Sequence, residues 1–423
     1  MSYKIMVVGG GGREHALAWK ISQSPLCEKL YLAPGNPLSA KIGECVNIQT
    51  SDFVALKSFA KKEGIDLTVV GPEAPLVGGL VNTFKRAGLR IFGPTKAAAR
   101  LEGSKSFSKE LMHKYHIPTA AFQKARSLDE AHTVLADMGV PVVIKADGLA
   151  EGKGAFVCHT QEEAEMALRM IFMEKRFGES GDLCVFEEFM QGEEASVFCV
   201  TDGHTLLPML PAQDHKAIGE GDRGANTGGM GSYAPAPVVT EKVMDKILKE
   251  IAVPTIHAMN SEGCPYSGVL YIGLMIQSGN PRVVEYNCRF GDPEIQPLVM
   301  MMKTDILPIL MKAADGNLDS CEEGFEWHPG AAVGVVMASG GYPDKYEKGY
   351  VIEGLDELSA EVVPFAAGVG GRPERLLTSG GRVLCLTARG ESLREACERV
   401  YSEIDKIRFT GAYYRKDIGH RAL

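Results

Sequence analysis

Between residues 283 and 294 the sequence reads VVEYNCRFGDPE, and a carboxylate, an amide oxygen, a guanidinium and a second carboxylate fall close together in it. An extended chain alternates its side chains, so Glu285 and Asn287 are expected on one face, with Val284 and Tyr286 on the other. Arg289 follows, and Gly291, Asp292 and Pro293 form a turn that holds the second carboxylate near the strand end. Such a set suits a hard divalent cation carrying phosphate oxygens, because Mg2+ takes few protein ligands and leaves others to a nucleotide. The expectation is a metal–triphosphate site at Glu285 and Asn287; the alternative is an edge strand ending in a surface ion pair.

Other stretches bear on that choice. In VVIKADGLAEGKGAFV, residues 142–157, Lys145 is embedded in an apolar strand, where an ammonium is costly unless an anion meets it. The loop after it carries Gly148, Gly152 and Gly154, which let backbone N–H groups approach phosphates, and Lys153 adds a charge or is solvated. Ser104 is placed to cap a helix bearing Phe107, Leu111 and Tyr115 on one face, with Lys105 in its first turn. A lone lysine there ordinarily faces solvent, and His113 and His116 on the same helix read as surface residues. Glu187, Glu188, Glu193 and Glu194 crowd the connection between two strands in 183–198; they suit either a purine and ribose contact or a solvated acidic hairpin. Residues 211–237 are rich in glycine and proline and show no period, which favours a structureless loop covering a substrate.

The elements that must carry these groups are legible more coarsely. Residues 4–8 read as a buried strand, Gly9–Gly12 as a turn and the following residues as a helix. The dinucleotide fingerprint G-x-G-x-x-G fails, since its last position falls on Glu14 or His15, so NAD is not expected. A helix N-terminus taking a phosphate or carboxylate, with Arg13 nearby, is expected instead. Further strands at 65–70 and 89–94 end in turns, one holding Glu73 as a helix cap or a substrate contact, and imply an open parallel α/β sheet. Strands at 269–276 and 283–287 read as a hairpin through Ser278, Gly279 and Asn280. After Trp327 the chain becomes β-rich.

The chain has 423 residues, enough for three or four domains. The expected units are an N-terminal α/β domain (1–103), a small lid with its entry helix (104–193), a central domain with the metal site (194–327) and a β-rich C-terminal domain (328–423). Its 48 glycines exceed the usual share of about 7% and imply many turns and backbone-lined sites. A net charge of −9 argues against nucleic acid and anionic membranes as partners, so phosphate must be met locally. Scattered cysteines without a C-x-x-C pair, and an N-terminus too short in apolar residues for a signal peptide, fit a cytoplasmic protein.

Taken in order, GGGGREHALAWK (9–20), APGN (33–36), GPEAPL (71–76), GSKSFSK (103–109), KADGLAEGKG (145–154), QDHK (213–216), GANTGGMG (224–231) and EYNCRFGDPE (285–294) resemble the phosphoribosylamine–glycine ligase family of the ATP-grasp superfamily. The resemblance spans the whole chain. It implies a multidomain α/β and α+β protein with an ATP-grasp core that ligates glycine to 5-phosphoribosylamine through a glycyl phosphate, in purine biosynthesis. ATP and Mg2+ or Mn2+ are the implied cofactors, and a monomer or weak homo-oligomer is expected. Lys105, Lys145, Gly148, Gly152, Lys153 and Gly154 would meet ATP phosphates, while Glu187, Glu188 and Glu194 would serve the adenine and ribose. Arg289, Lys145 and Asp292 are the implied catalytic residues. Gly10, Gly11, Arg13, Glu14, Asn36, Glu73, Asp214, Lys216, Asn226, Thr227, Gly228 and Arg289 would hold the substrates. Where many superfamily members have a first metal carboxylate this sequence has Gly273, so the triphosphate is expected to supply most metal ligands. Another ATP-grasp ligase, or a nucleotide-binding regulator without turnover, are the alternatives. The sequence ending at Leu423 implies no fused further activity.

Overall fold

The computed structural model describes residues 2–149, 154–321 and 324–423. Largely apolar, buried runs build most of the first sheet, β1 (Tyr3–Gly9), β2 (Cys27–Pro34), β4 (Leu67–Val70) and β5 (Ile91–Phe92), with the short, partly exposed β3 (Glu44–Cys45) at its edge. All its pairings are parallel and the order is β3-β2-β1-β4-β5, as continuous Val/Ile/Leu strands require. The glycine turn after β1 and the turn after β4 therefore emerge at the same edge.

A second sheet is antiparallel, in the order β6-β9-β7-β8, from β6 (Phe122–Ala125), β7 (Val142–Ala146), β8 (Ala155–Cys158) and β9 (Cys184–Glu188). The helices Leu128–Met138 and Gln161–Leu168 cover it with Ala131, Leu135, Ala164 and Leu168. Ser104 caps the entry helix Lys105–Lys114, accepting from the Phe107 N–H at 3.2 Å, as expected. His113 and His116 are exposed.

The connection after β9 leads into a different sheet, through β10 (Glu193–Thr201) and β11 (Leu206–Pro208). The stretch expected to be structureless then carries β12 (Gln213–Asp214), β13 (Ala217–Gly219), β14 (Arg223–Asn226) and β15 (Gly231–Ala234). Strands of two to four residues are too short to print a period of two on the sequence, which is why they were not read there. The hairpin of β16 (Gly268–Gln277) and β17 (Asn280–Asn287) completes the order β11-β10-β16-β17. Its two-residue turn has Ser278 at φ 50° and Gly279 at φ 74°, the left-handed pair that matches strand twist.

The simple alternation expected along β17 is broken by a bulge. Glu285 lies opposite Gly273 and Val283 opposite Leu274, so Val284 is the extra residue. Val283 and Tyr286, not Val284 and Tyr286, point into the core. The bulge rotates Glu285 and Asn287 toward the interior of the molecule.

The last sheet runs β12-β15-β18-β22-β19, with β18 (Ala331–Ala338), β19 (Val362–Ala366), a small hairpin of β20 (Val369–Arg372) and β21 (Arg375–Thr378) beside it, and β22 (Arg382–Gly390). Helix Leu393–Ile404 lays Ala396, Val400 and Ile404 on that sheet. Because β12 and β15 precede residue 327, sheet membership does not follow the expected boundary there. No described helix is long and apolar enough to cross a membrane.

Candidate active site

A cavity of about 500 Å3 lies where these sheets converge, and β17 forms its centre. Glu285, Asn287, Arg289 and Asp292 all line it. A Cβ added at Gly273 would sit 3.3 Å from Glu285 Cγ, so the absence of a side chain there makes room for the glutamate. Burial alone would push the Glu285 carboxyl up, but Lys216, Lys145, Lys105 and Arg289 outweigh it and hold it below the ordinary range. An ionised carboxylate beside the Asn287 amide oxygen is a donor set that fits a hard divalent cation. Asn287 Oδ1 accepts from Arg289 Nη2 at 3.0 Å, which fixes the amide with its oxygen toward the guanidinium.

One wall is built of lysines. Lys145, from β7, is met by an anion as its burial demands, but that anion is Glu187 on the neighbouring β9, 2.9 Å away. The other Glu187 oxygen lies 3.0 Å from Lys109. The Glu187 carboxylate thus sits between two buried lysines and compensates their charge, while the residue also lines the cavity. Burial lowers the Lys109 ammonium to about 8, with Glu187 opposing and Lys145 adding to the shift. Lys105 does not face solvent; it lines the cavity and its Nζ donates to the Gly148 carbonyl at 2.9 Å. Among the described residues no carboxylate lies within ion-pair distance of it, whereas Lys109 and Lys145 share Glu187; Glu285 is the carboxylate that acts on Lys105 most strongly. Gly148 itself packs against Ser180, and Gly154 lines the cavity. Gly152 and Lys153 lie outside the described residues. Glu188 lines the rim, its carboxylate held by Arg282 at 2.6 Å, and Glu194 pairs with Lys216 at 2.8 Å.

The glycine turn after β1 makes several hydrogen bonds of its own. Glu14 folds back so that Oε2 accepts from the Gly11 N–H at 2.7 Å, while Oε1 accepts from Arg13 Nε at 2.6 Å. A Cβ at Gly9 or Gly71 would lie 2.4 Å or 2.2 Å from this side chain, so both glycines are needed for its path. Gly10 packs so tightly on the Gly35 carbonyl that a Cβ would approach to 2.4 Å. The Asn36 amide donates to the Gly10 and Ala366 carbonyls and accepts from the Leu38 and Ser39 N–H groups. The side chains of Glu14 and Asn36 thus make their hydrogen bonds within the protein. Gly10, Gly11, Glu14 and Asn36 do not line the cavity, whereas Arg13 and Glu73 do.

Arg289 is held by Glu73 at 3.3 Å and Glu102 at 3.2 Å besides Asn287. Burial pushes the Asp292 carboxyl up, but Arg382 and Arg13, with a hydrogen bond from Gln296, bring it below the usual carboxylate range. Asp214, Lys216, Asn226, Thr227 and Gly228 also line the cavity. Burial raises the Asp214 carboxyl to about 7, Lys216 opposing while Glu294 and Glu194 reinforce. Burial works against the Lys216 ammonium, yet Glu194, Asp214 and Glu285 raise it well above its ordinary value.

Four charged lining residues are not among the sequence candidates: Lys109, Glu102, Glu294 and Arg382. Lys109 stands four residues after Lys105, the spacing that shares a helix face, and that signal was available. Glu102 and Glu294 sit at the edges of motifs, with Glu294 accepting from the Tyr271 hydroxyl at 2.6 Å. Arg382 gives no local sign. It reaches from the start of β22 to donate to the Gly228 and Asp292 carbonyls, 2.7 Å each.

Comparison with known proteins covers the whole chain. Residues 3–102, 103–295 and 332–421 match the family models for the N domain, the ATP-grasp (A) domain and the C domain of phosphoribosylglycinamide synthetase. The chain is 49% identical over 424 residues to the phosphoribosylamine–glycine ligase of Haemophilus influenzae, covering 99% of this chain and 98% of that protein. It is 50% identical to the one from Allochromatium vinosum, with 99% of each covered. The crystal structure of the Thermotoga maritima phosphoribosylamine–glycine ligase superposes with a TM-score of 0.81 at 33% identity, covering 98% of this chain and 100% of that one.

Proposed function

The chain belongs to the phosphoribosylglycinamide synthetase family and is an ATP-grasp ligase, and from that premise we propose that it joins glycine to 5-phosphoribosylamine through a glycyl phosphate. The observation that carries the reading is the imbalance of charge along the cavity. Lys109 and Lys145 share the single carboxylate of Glu187 and Lys105 has no ion-pair partner among the described residues, and this wall, with Asn287 and the ionised Glu285, suits a triphosphate and its cation.

In this reading a carboxylate oxygen of glycine attacks the γ-phosphorus of ATP, the bond to ADP breaks, and glycyl phosphate forms. The amine nitrogen of phosphoribosylamine then attacks the glycyl carbonyl carbon, phosphate leaves, and the nitrogen loses a proton to give glycinamide ribonucleotide. No protein nucleophile is required, so positioning and charge stabilisation do the catalysis. Lys105 and Lys145 meet the phosphates, and Glu187 keeps Lys145 and Lys109 apart and oriented. Glu285 and Asn287 would hold Mg2+ or Mn2+, which when bound neutralises phosphate oxygens. Arg289, braced by Glu73 and Glu102, fixes the Asn287 amide and places a guanidinium beside the transferring phosphoryl. Elsewhere in the cavity ionised Asp214 takes the glycine ammonium, and Lys216, Asn226, Thr227 and Gly228 hold the acceptor. Asp292 with Arg13 and Arg382 closes that side against water, which both the acyl phosphate and the amine require.

ADP release with ATP and Mg2+ tests this, adding glycine and freshly prepared phosphoribosylamine alone and together. Turnover with both present, one ADP per glycinamide ribonucleotide, is expected. Equal turnover with a different acid or amine would overturn the substrate assignment while leaving the ATP site standing.

A further inference from the structure

The part of the cavity lining that carries Lys216 and Thr227 is a thin structure. Lys216 and Thr227 flank the hairpin β13–β14 at its base, tied by the Thr227 N–H and hydroxyl, each 2.8 Å from the Lys216 carbonyl. The hairpin pairs Ala217 with Asn226 at that end and Gly219 with Arg223 at the other. Most of its residues are too exposed or too small to anchor it by packing. Its tip is held instead by a segment nearly 200 residues later.

At that tip Gly221 and Asp222 turn the chain at φ 65° and 56°. Aspartate accepts this left-handed conformation more readily than most residues. Its carboxylate accepts from Arg415 Nη1 at 3.0 Å and from Arg421 Nε at 2.9 Å. Arg415 is fully buried and also donates to the Ala217 carbonyl at 3.0 Å and to both oxygens of Asp417 at 2.8 Å. The segment adds contacts to the hairpin backbone: the Tyr413 hydroxyl donates to the Ile218 carbonyl, and the Gly221 N–H donates to Asp417, both at 2.8 Å. His215, Asp222 and His420 are close enough together to suggest a metal site. Two guanidiniums already occupy Asp222, and His215 Nε2 accepts the Gly419 N–H at 3.0 Å, so the cluster is a charge-assisted clasp rather than a cation cage.

We propose that Asp222 and Arg415 are positioning residues for the ligase reaction: the segment 413–421 clasps the tip of the β13–β14 hairpin and so sets Lys216 and Thr227, at its base, against the substrate. The inference rests on the proposed reading of this wall as the one that holds glycine and phosphoribosylamine. It assigns the C-terminal segment a task in substrate affinity that none of its residues performs by touching the cavity.

The test is a double-mutant cycle. Asp222→Asn keeps the shape and removes the charge between the two guanidiniums. It should raise the KM values for glycine and phosphoribosylamine about tenfold, with the KM for ATP within about twofold of wild type. In a Lys216→Ala background the same substitution should add less than about twofold, because both act on one contact. Arg399→Ala breaks ion pairs with Glu361 and Glu395 in the same unit without touching the hairpin, and should leave all three KM values unchanged. Effects of Asp222→Asn and Lys216→Ala that simply multiply, or an equal rise in the KM for ATP, would overturn the proposal. If Asp222→Asn does not fold, Arg415→Lys decides: it keeps the charge, loses the fork, and must show the same split between substrates and ATP. Should wild-type protein not turn over glycine and phosphoribosylamine, the substrate reading fails by itself. The clasp is then judged by amide hydrogen exchange over 216–228, which must quicken in Asp222→Asn and, if unchanged, sinks it.

Discussion

After β1 the chain turns through Gly9–Arg13, and after β17 it turns through Cys288–Pro293. Both turns combine glycine, a carboxylate and an arginine at a strand end, and both were read as ligand sites. The first spends its polar groups on itself. Glu14 returns to the Gly11 N–H and to Arg13, and Asn36 closes over Gly10. Glu285, on the strand that leads into the second, faces charge it does not neutralise, with Lys216, Lys145, Lys105 and Arg289 all acting on it. The two strand ends thus differ in the charge left over once internal partners are counted.

The largest effect should come from disturbing the strand end that leads into the second turn. Glu285→Gln keeps the side-chain volume and removes the carboxylate that four cations surround. Steady-state ADP release should fall on the order of 100-fold or more, with a higher Mg2+ requirement. Metal titrations of initial rate read this directly. A variant with wild-type turnover at low Mg2+ would mean that the cation is held elsewhere, and the comparison would lose its second half.

Disturbing the first turn should act on folding instead. Glu14→Ala leaves the Gly11 N–H unpaired and the buried Arg13 with Glu73, 3.7 Å away. Removing one partner of such a buried set typically costs about 2–4 kcal/mol. Denaturant unfolding should show that loss, while the KM for ATP stays near wild type. A large rise in substrate KM with unchanged stability would make this turn a ligand site after all.

The same contrast explains what the sequence could reveal. Glu285 and Asn287 were legible because a period of two and a short spacing are local, and the order of motifs pointed to the ATP-grasp ligases as a whole. The bulge at Val284 was not legible, since it exists only in the register with Gly273. Lys145 announced that an anion must meet it, but not that β9 would deliver Glu187 from the adjacent strand. The clasp on Asp222 was equally hidden, because Arg415 reaches it across 193 residues of chain. The parallel N-terminal sheet was readable from continuous apolar runs, whereas β12–β15 were too short to leave a pattern. Local chemistry was thus readable to the extent that its partners were local too.

Asp214 sharpens the comparison with the smallest effect, because it belongs to the cavity yet its burial is unfavourable. Its folded value of about 7 lies above the ordinary 3.8, so between those values the folded chain keeps a proton that the unfolded chain has released. Folding stability therefore declines as pH rises from about 4 to about 7 and levels off above, and Asp214→Asn should remove that slope. The function moves the opposite way. If ionised Asp214 takes the glycine ammonium, its ionised fraction falls about tenfold from pH 8 to pH 6, and the KM for glycine should rise by about the same factor. In Asp214→Asn that KM should be higher at pH 8 and nearly flat across the range, with the KM for ATP following its wild-type profile. A sloping profile that survives the substitution would assign the titration to another group and leave Asp214 a residue whose charge serves the protein alone.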